Sequence, residues 1–255
     1  DETASVAAQL GAEVVQFRYT GGYPKKRQWA LENLQFQTPW VLLIDADEVV
    51  PPQLWDEIAA AIAAPGAHAF LIRKGFHFLG RRFRFGGFSH EAVLLFRYGS
   101  ARFERLLDQD ASGFDMEVHE RVIVDGRIDR LRTPLIHEDF KGLEAYRARH
   151  RQYAIWEAKV RHNFLTTGSY GEETIAPKLF GNAQERRRLL KKLIIRLPFE
   201  PLIWFLSHYL VHGACLEGRA GFTASLLRAQ YIADVRQRLK VLRESGRGDL
   251  ERVQV

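Results

Sequence analysis

Three carboxylates close the run WVLLIDADEVV: Asp45, Asp47 and Glu48. An apolar run that ends in acid groups is the pattern of a buried strand delivering side chains to its carboxyl end, where parallel α/β sheets bind ligands. If the strand conformation persists, its period of two points Asp45 and Asp47 the same way, with the small Ala46 between them. Two carboxylates held together repel unless a cation sits nearby. Hard divalent cations, Mg2+ or Mn2+, prefer oxygen ligands and are commonly shared with substrate phosphates. A purely structural role is also open, because Asp47 and Glu48, with Pro51 behind them, suit the start of a following helix.

Cations stand close by in sequence. Lys25, Lys26 and Arg27 follow a Gly-Gly-Tyr-Pro loop and open a helix, so their charges and the helix N-terminus can both face an anion. A solvated basic face is the competing reading. Arg81, Arg82 and Arg84 alternate with phenylalanines in FHFLGRRFRFGGF, a pattern that suits stacking on nucleic-acid bases or closure over a sugar and its diphosphate. The segment FDMEVHERV adds Asp115, Glu117, His119 and Glu120. Strand alternation puts Glu117 and His119 on one face and Glu120 on the other with Val118, so alternation alone selects no general base. His137, in LIHEDF, is a further candidate for a metal or phosphate contact.

The elements that must position these groups alternate. A helix over Thr3 to Leu10 is closed by Gly11, a strand is expected over Glu13 to Phe17, and KKRQWALENLQF forms a helix ahead of the strand WVLLID. A helix from about Gln53 to Ala64, a strand over 69–74 and another over 92–99 follow. The order predicts a mostly parallel sheet covered by helices on both faces. A strand and an Asp125-Gly126 turn are expected across 118–126. From Leu143 to about Phe164 the pattern is helical, with Tyr146, Tyr153, Ile155, Trp156 and Val160 sharing much of one side. Beyond Lys178 the helices become basic and apolar at once. Because a helix precedes the first expected strand, we expect an N-terminal β-strand of the α/β unit to be missing from this chain.

Composition narrows the setting. A chain of 255 residues with 46% hydrophobic content supports a folded core. Cys215 is the single cysteine, which excludes an intramolecular disulfide and any multi-cysteine zinc site and agrees with a cytosolic setting. The formal net charge of +6 calls for an anionic partner. No run reaches the roughly 18 apolar residues of a spanning helix. Arg186, Arg187, Arg188, Lys191, Lys192 and Arg196, set among leucines and isoleucines and followed by Trp204, Phe205 and Tyr209, instead predict an interfacial anchor on an anionic membrane surface.

The opening S-x-D-E-T-like start, GGYPKKRQWAL, WVLLIDADE, the later VHE and the H-x-D-F resemble family 2 glycosyltransferases of the GT-A fold. Within that family the chain is most similar to bacterial enzymes of lipopolysaccharide-core and exopolysaccharide assembly. The likeness covers roughly residues 1–165, taken as an N-terminally incomplete catalytic domain, with 166–255 as a C-terminal helical, membrane-interfacial region. GACLEGRAGF is similar to the D-G-x-x-G tail of membrane-associated polysaccharide transferases, with Glu217 where Asp is usual.

The resemblance implies a metal-dependent, inverting sugar transfer from a nucleoside-diphosphate sugar to a lipid-linked or glycan acceptor, at the cytoplasmic face of the bacterial inner membrane. It assigns Asp47 and Asp45 to Mg2+ or Mn2+, and Arg27, Lys26, Asp45 and Arg81 to the nucleotide sugar. Glu120 is the first candidate for the base and Glu117 the second. Nucleic acid is not the expected partner. The two rival readings are a basic single-stranded nucleic-acid-binding module built on the Arg/Phe loop and an inactive membrane-associated scaffold.

Overall fold

The computed structural model describes residues 2–21, 23–106, 121–137 and 142–244. Helices α1 (Thr3–Gln9) and α2 (Lys26–Asn33) lead to strand β1 (Trp40–Leu42), the short β2 (Glu48–Val49), helix α3 (Pro52–Ala63) and strand β3 (Ala69–Lys74). A small hairpin, β4 (His77–Phe78) and β5 (Arg81–Arg82), precedes the long β6 (His90–Arg97). Then come β7 (Ala101–Phe103), β8 (Val122–Val124), β9 (Ile128–Arg130) and β10 (Ile136–His137). Among the described residues four α-helices follow, α4 (Leu143–Thr167), α5 (Ala183–Ile194), α6 (Glu200–Leu206) and α7 (Gly218–Glu244), with a π turn (Ser207–Val211) and a 3-10 turn (Ala214–Glu217) between the last two.

The class is mixed α/β, and the main sheet has the order β1-β6-β3-β9. Its β1/β6 and β6/β3 pairings are antiparallel, and only β3/β9 is parallel. The expected mostly parallel sheet is therefore replaced, among the described residues, by a mixed one. The reason lies in the connections. α3 carries the chain from β1 to a β3 that runs the same way, whereas β3 reaches β6 through the β4/β5 hairpin without a helical crossover, so β6 returns antiparallel between them. Residues 13–17, expected as a strand, have no regular structure; without a ladder partner an extended run gains none of a sheet's hydrogen bonds.

Strand alternation builds two cores. Phe70 and Ile72 face α3 with Leu54 and Ile58, which lie four residues apart on one helical face. Ala69 and Leu71 face the opposite side with Val41, Val93, Phe96, Phe103 and Val122. A register shift between Phe70 and Leu71 brings consecutive Leu94 and Leu95 to the α3 side. Pro52 in the first turn of α3 needs no donor there and sharpens the break after β2.

The C-terminal helices form a second layer. α4 runs through residue 165 and packs Ala154 and Ala158 against Tyr231, Ile232 and Val235 of α7. Its C-terminus closes on Gly168 in the left-handed conformation, whose N–H donates to the Phe164 carbonyl. α5 starts with a reciprocal cap between Asn182 and Glu185. Gly221 belongs to the tail GACLEGRAGF, and a Cβ there would run into the Ala214 carbonyl.

Candidate functional site

At the end of β1 the chain turns back on itself. Glu48 N–H donates to the Asp45 carbonyl (3.0 Å), and the Asp45 N–H donates to Glu48 Oε2 (2.8 Å). The Glu48 side chain is buried, and Lys74, the last residue of β3, lies against its other oxygen. Glu48, unassigned from sequence, thus holds the acidic turn together. Lys74 also donates to Asp45 Oδ2 (3.0 Å), and Arg27 in the first turn of α2 pairs with Asp45 Oδ1. Burial pushes the Asp45 carboxyl up, but Lys74 and Arg27 outweigh it and hold its pKa below the ordinary aspartate value.

The turn at 46–47 ends the alternation that would have set Asp45 and Asp47 side by side. Asp47 faces another partner: its Oδ2 lies 3.5 Å from His137 Nε2, because β10 pairs with β2 and brings His137 opposite Glu48. Among the described residues, no three His, Cys, Asp or Glu side chains gather into a metal-binding cluster. A magnesium-like ion held mainly by substrate phosphates needs only one or two protein ligands. Asp47, 43% exposed, supplies such an oxygen ligand, and His137 beside it offers a nitrogen that Mn2+ accepts more readily than Mg2+ does. Asp45 does not supply one, while both its oxygens are engaged by cations.

These groups form one end of a cleft of about 760 Å³ that continues to α4, α5 and α7. Among the described residues ten cationic side chains line it: Lys26, Arg27 and Lys74 at the β1 end, and Arg121, Arg149, Arg161, Arg187, Arg188, Lys191 and Arg228 beyond. Among the described residues the carboxylates in the lining are four, Asp45, Asp47, Glu91 and Glu157. Such an excess inside a concave, partly desolvated space favours a multiply charged anion. His150, also in the lining, is kept neutral, its pKa pushed down to about 4 by burial. No protein-family model matches this chain, and no solved structure gives a significant match.

At the far end Arg161, Glu157 and Glu200 are buried, Lys191 and Arg236 lie half-buried against them, and the group is densely bonded. Arg161 donates to Glu157 and Glu200, Tyr231 Oη donates to Glu157 (2.6 Å), Lys191 lies 2.8 Å from Glu157, and Arg236 lies 3.3 Å from Glu200. Burial opposes the Arg161 charge, but Glu157 and Glu200 outweigh it and keep the guanidinium protonated. Next to this group Arg188 pairs with Glu104, which also accepts from the Ile175 N–H (2.7 Å). Arg121 donates to the Gln184 carbonyl (2.9 Å). Burial, then the neighbouring Arg188, lowers Arg121 to about 10, and burial lowers Lys191 to about 8.

This arrangement reverses the expectation for α5. Its Arg187, Arg188 and Lys191 line the cleft, while Leu190 and Leu193 are exposed, 47% and 60%. Of the six cations expected to meet lipid headgroups, Arg187, Arg188 and Lys191 are turned inward, the last two because buried Glu104 and Glu157 bind them there, while Arg186 and Arg196 stay exposed.

Of the residues proposed from sequence, Lys26, Arg27, Asp45 and Asp47 meet in the cleft. Arg81 is not among the lining residues; it pairs with Glu217, which also accepts the N–H groups of Arg84 (2.7 Å) and Phe85 (2.9 Å). Glu217 of the tail motif thus pins the aromatic loop to the start of α7. Glu117 and Glu120, with Asp115 and His119, lie outside the described residues. Lys74 was missed, although the argument that selected Asp45 applies to it equally, since it ends β3, which runs the same way as β1 on the other side of β6. Arg121 and Tyr170 carried no local signal, and Arg188 was read only as part of the basic run expected at a membrane, since each owes its place to packing between distant elements.

Proposed function

We propose that the chain is a glycosyltransferase of the GT-A type that transfers a sugar from a nucleoside-diphosphate sugar to a lipid-linked or glycan acceptor. The observation that carries this reading is the cation-lined cleft into which the DADE turn at the end of β1 opens. Arg27, Lys26 and Lys74 would meet the donor's diphosphate, with Asp45 keeping Arg27 and Lys74 in position. Asp47 and His137 would hold a Mg2+ or Mn2+ ion. When bound, such an ion supplies charge neutralisation for the departing diphosphate. The base that takes the acceptor's proton is assigned to Glu120, with Glu117 as second candidate, on the resemblance alone. On this reading the mixed sheet is the GT-A sheet.

The proposed acceptor surface is an anionic membrane, with the protein peripheral on the cytoplasmic face of the bacterial inner membrane. No helix among the described residues is long and apolar enough to cross a bilayer. What supports surface binding is the set of exposed apolar side chains on α6, on α7 and on the short helical turns between them, 207–217. Leu202, Leu206, Leu210, Leu216, Phe222 and Leu226 are exposed there, with the cations Arg196 and Arg219. Both carboxylates between residues 195 and 233, Glu200 and Glu217, are buried. An apolar face with exposed cations and no exposed acid suits anionic headgroups over an acyl boundary.

Calorimetric titration of nucleoside diphosphates with Mn2+ tests the donor site. We expect cation-dependent binding that Asp47→Asn weakens by about tenfold or more, as loss of groups at a metal site does. Equal affinity in the variant, or binding indifferent to the cation, refutes the assignment. Flotation with vesicles containing phosphatidylglycerol, and its loss in Leu202→Ser/Leu206→Ser, tests the membrane face.

A further inference from the structure

The far end of the cleft contains two buried donors with no acceptor among the described residues: the Tyr170 hydroxyl and Arg188 Nε. Both residues line the cleft and are more than nine-tenths buried, at 6% and 5% exposure. They are locked to each other, with the Arg188 guanidinium 4.5 Å above the Tyr170 ring, whose other neighbour is a stacked Phe164 (4.2 Å). A buried donor left unpaired costs on the order of 1–3 kcal/mol, so two at one place in an open cleft indicate an acceptor that belongs there.

Charge identifies that acceptor. Arg121, Arg161, Arg188, Lys191 and Arg236 face three carboxylates, Glu104, Glu157 and Glu200, which leaves a formal surplus of two positive charges among these groups. Burial, then repulsion by Arg188, depresses Arg121, and burial depresses Lys191. A phosphate monoester carries between one and a half and two negative charges at neutral pH, in about the amount needed. Its oxygens also suit guanidinium and hydroxyl donors together.

We propose that Arg121, Tyr170, Arg188 and Lys191 form a second anion subsite that binds a phosphoryl group of the acceptor. This rests on reading the cleft as that of a transferase, with the donor diphosphate at the Asp47 end.

The test is calorimetric titration of the full chain with hexyl phosphate and, separately, inorganic phosphate, without divalent cations. We expect the ester to bind, Tyr170→Phe to weaken it about fivefold through loss of one hydrogen bond, and Arg188→Lys to weaken it further. Asp47→Asn should leave ester binding unchanged while weakening Mn2+-dependent nucleotide binding. Absence of ester binding overturns the subsite. So does unchanged affinity in Tyr170→Phe and Arg188→Lys variants that melt as the parent does. Binding of inorganic phosphate but not of the ester overturns the acceptor assignment. If the ester binds as described and no nucleoside diphosphate binds with Mn2+, the donor reading fails while the phosphoryl subsite stands.

Discussion

The two ends of the cleft hold charge in opposite ways. At the β1 end, Asp45 is 37% exposed and its partners Arg27 and Lys74 are 27% and 18% exposed, so the group is screened by water and open to exchange with a ligand. At the α5 end, Arg161, Glu157 and Glu200 are each under 5% exposed, and the network joins α4, α5, α6 and α7. The first arrangement suits a site whose ion pairs open when substrate arrives. The second suits a fixed frame, because separating a buried pair exposes each partner to its full desolvation cost.

The largest test of this contrast is Arg161→Met, which leaves Glu157 and Glu200 buried with less compensation. We expect a loss of about 3–5 kcal/mol in folding stability by urea denaturation. Arg27→Met, which removes a comparable formal charge from the exposed end, should cost no more than about 1 kcal/mol while weakening nucleotide binding. Similar losses for the two variants would erase the distinction between frame and site.

Smaller effects separate the ends by pH. The folded pKa of Asp45 is depressed, so its contribution is complete above the ordinary aspartate value and is lost as pH falls through the lower folded one. Asp45→Asn should therefore flatten the acid limb of a stability profile measured below pH 4. Lys191 behaves inversely. Its folded pKa, about 8, lies below the ordinary lysine value near 10.4. Between these values the unfolded chain holds the extra proton, so stability rises with pH there, and Lys191→Met should remove that rise. An alkaline limb unchanged in Lys191→Met would show that this lysine is not desolvated in the fold.

Much of the β1 end was legible in the sequence because it is built locally. The apolar run, the acidic turn and the basic helix entry lie within 22 residues of one another, from Lys26 to Asp47. Period-two alternation correctly divided Phe70 and Ile72 from Ala69 and Leu71 across the two cores. It failed at Asp47, where the reciprocal Asp45–Glu48 bonds impose a turn that outweighs strand continuation.

What the sequence determined by itself was the mixed α/β class, the placement of Asp45, Asp47, Lys26 and Arg27 near one strand end, and the basic, apolar character of α5. These follow from composition and short-range periodicity, which act through the chain's own neighbours. Only the tertiary structure decided that β6 runs antiparallel between β1 and β3, that Glu217 belongs to the aromatic loop, and that α5 turns Arg187, Arg188 and Lys191 inward and Leu190 and Leu193 out. Each of these depends on a partner distant in sequence. For α5, Glu104 and Glu157 lie 84 and 34 residues before Arg188 and Lys191, and no periodicity within α5 encodes where they will be buried.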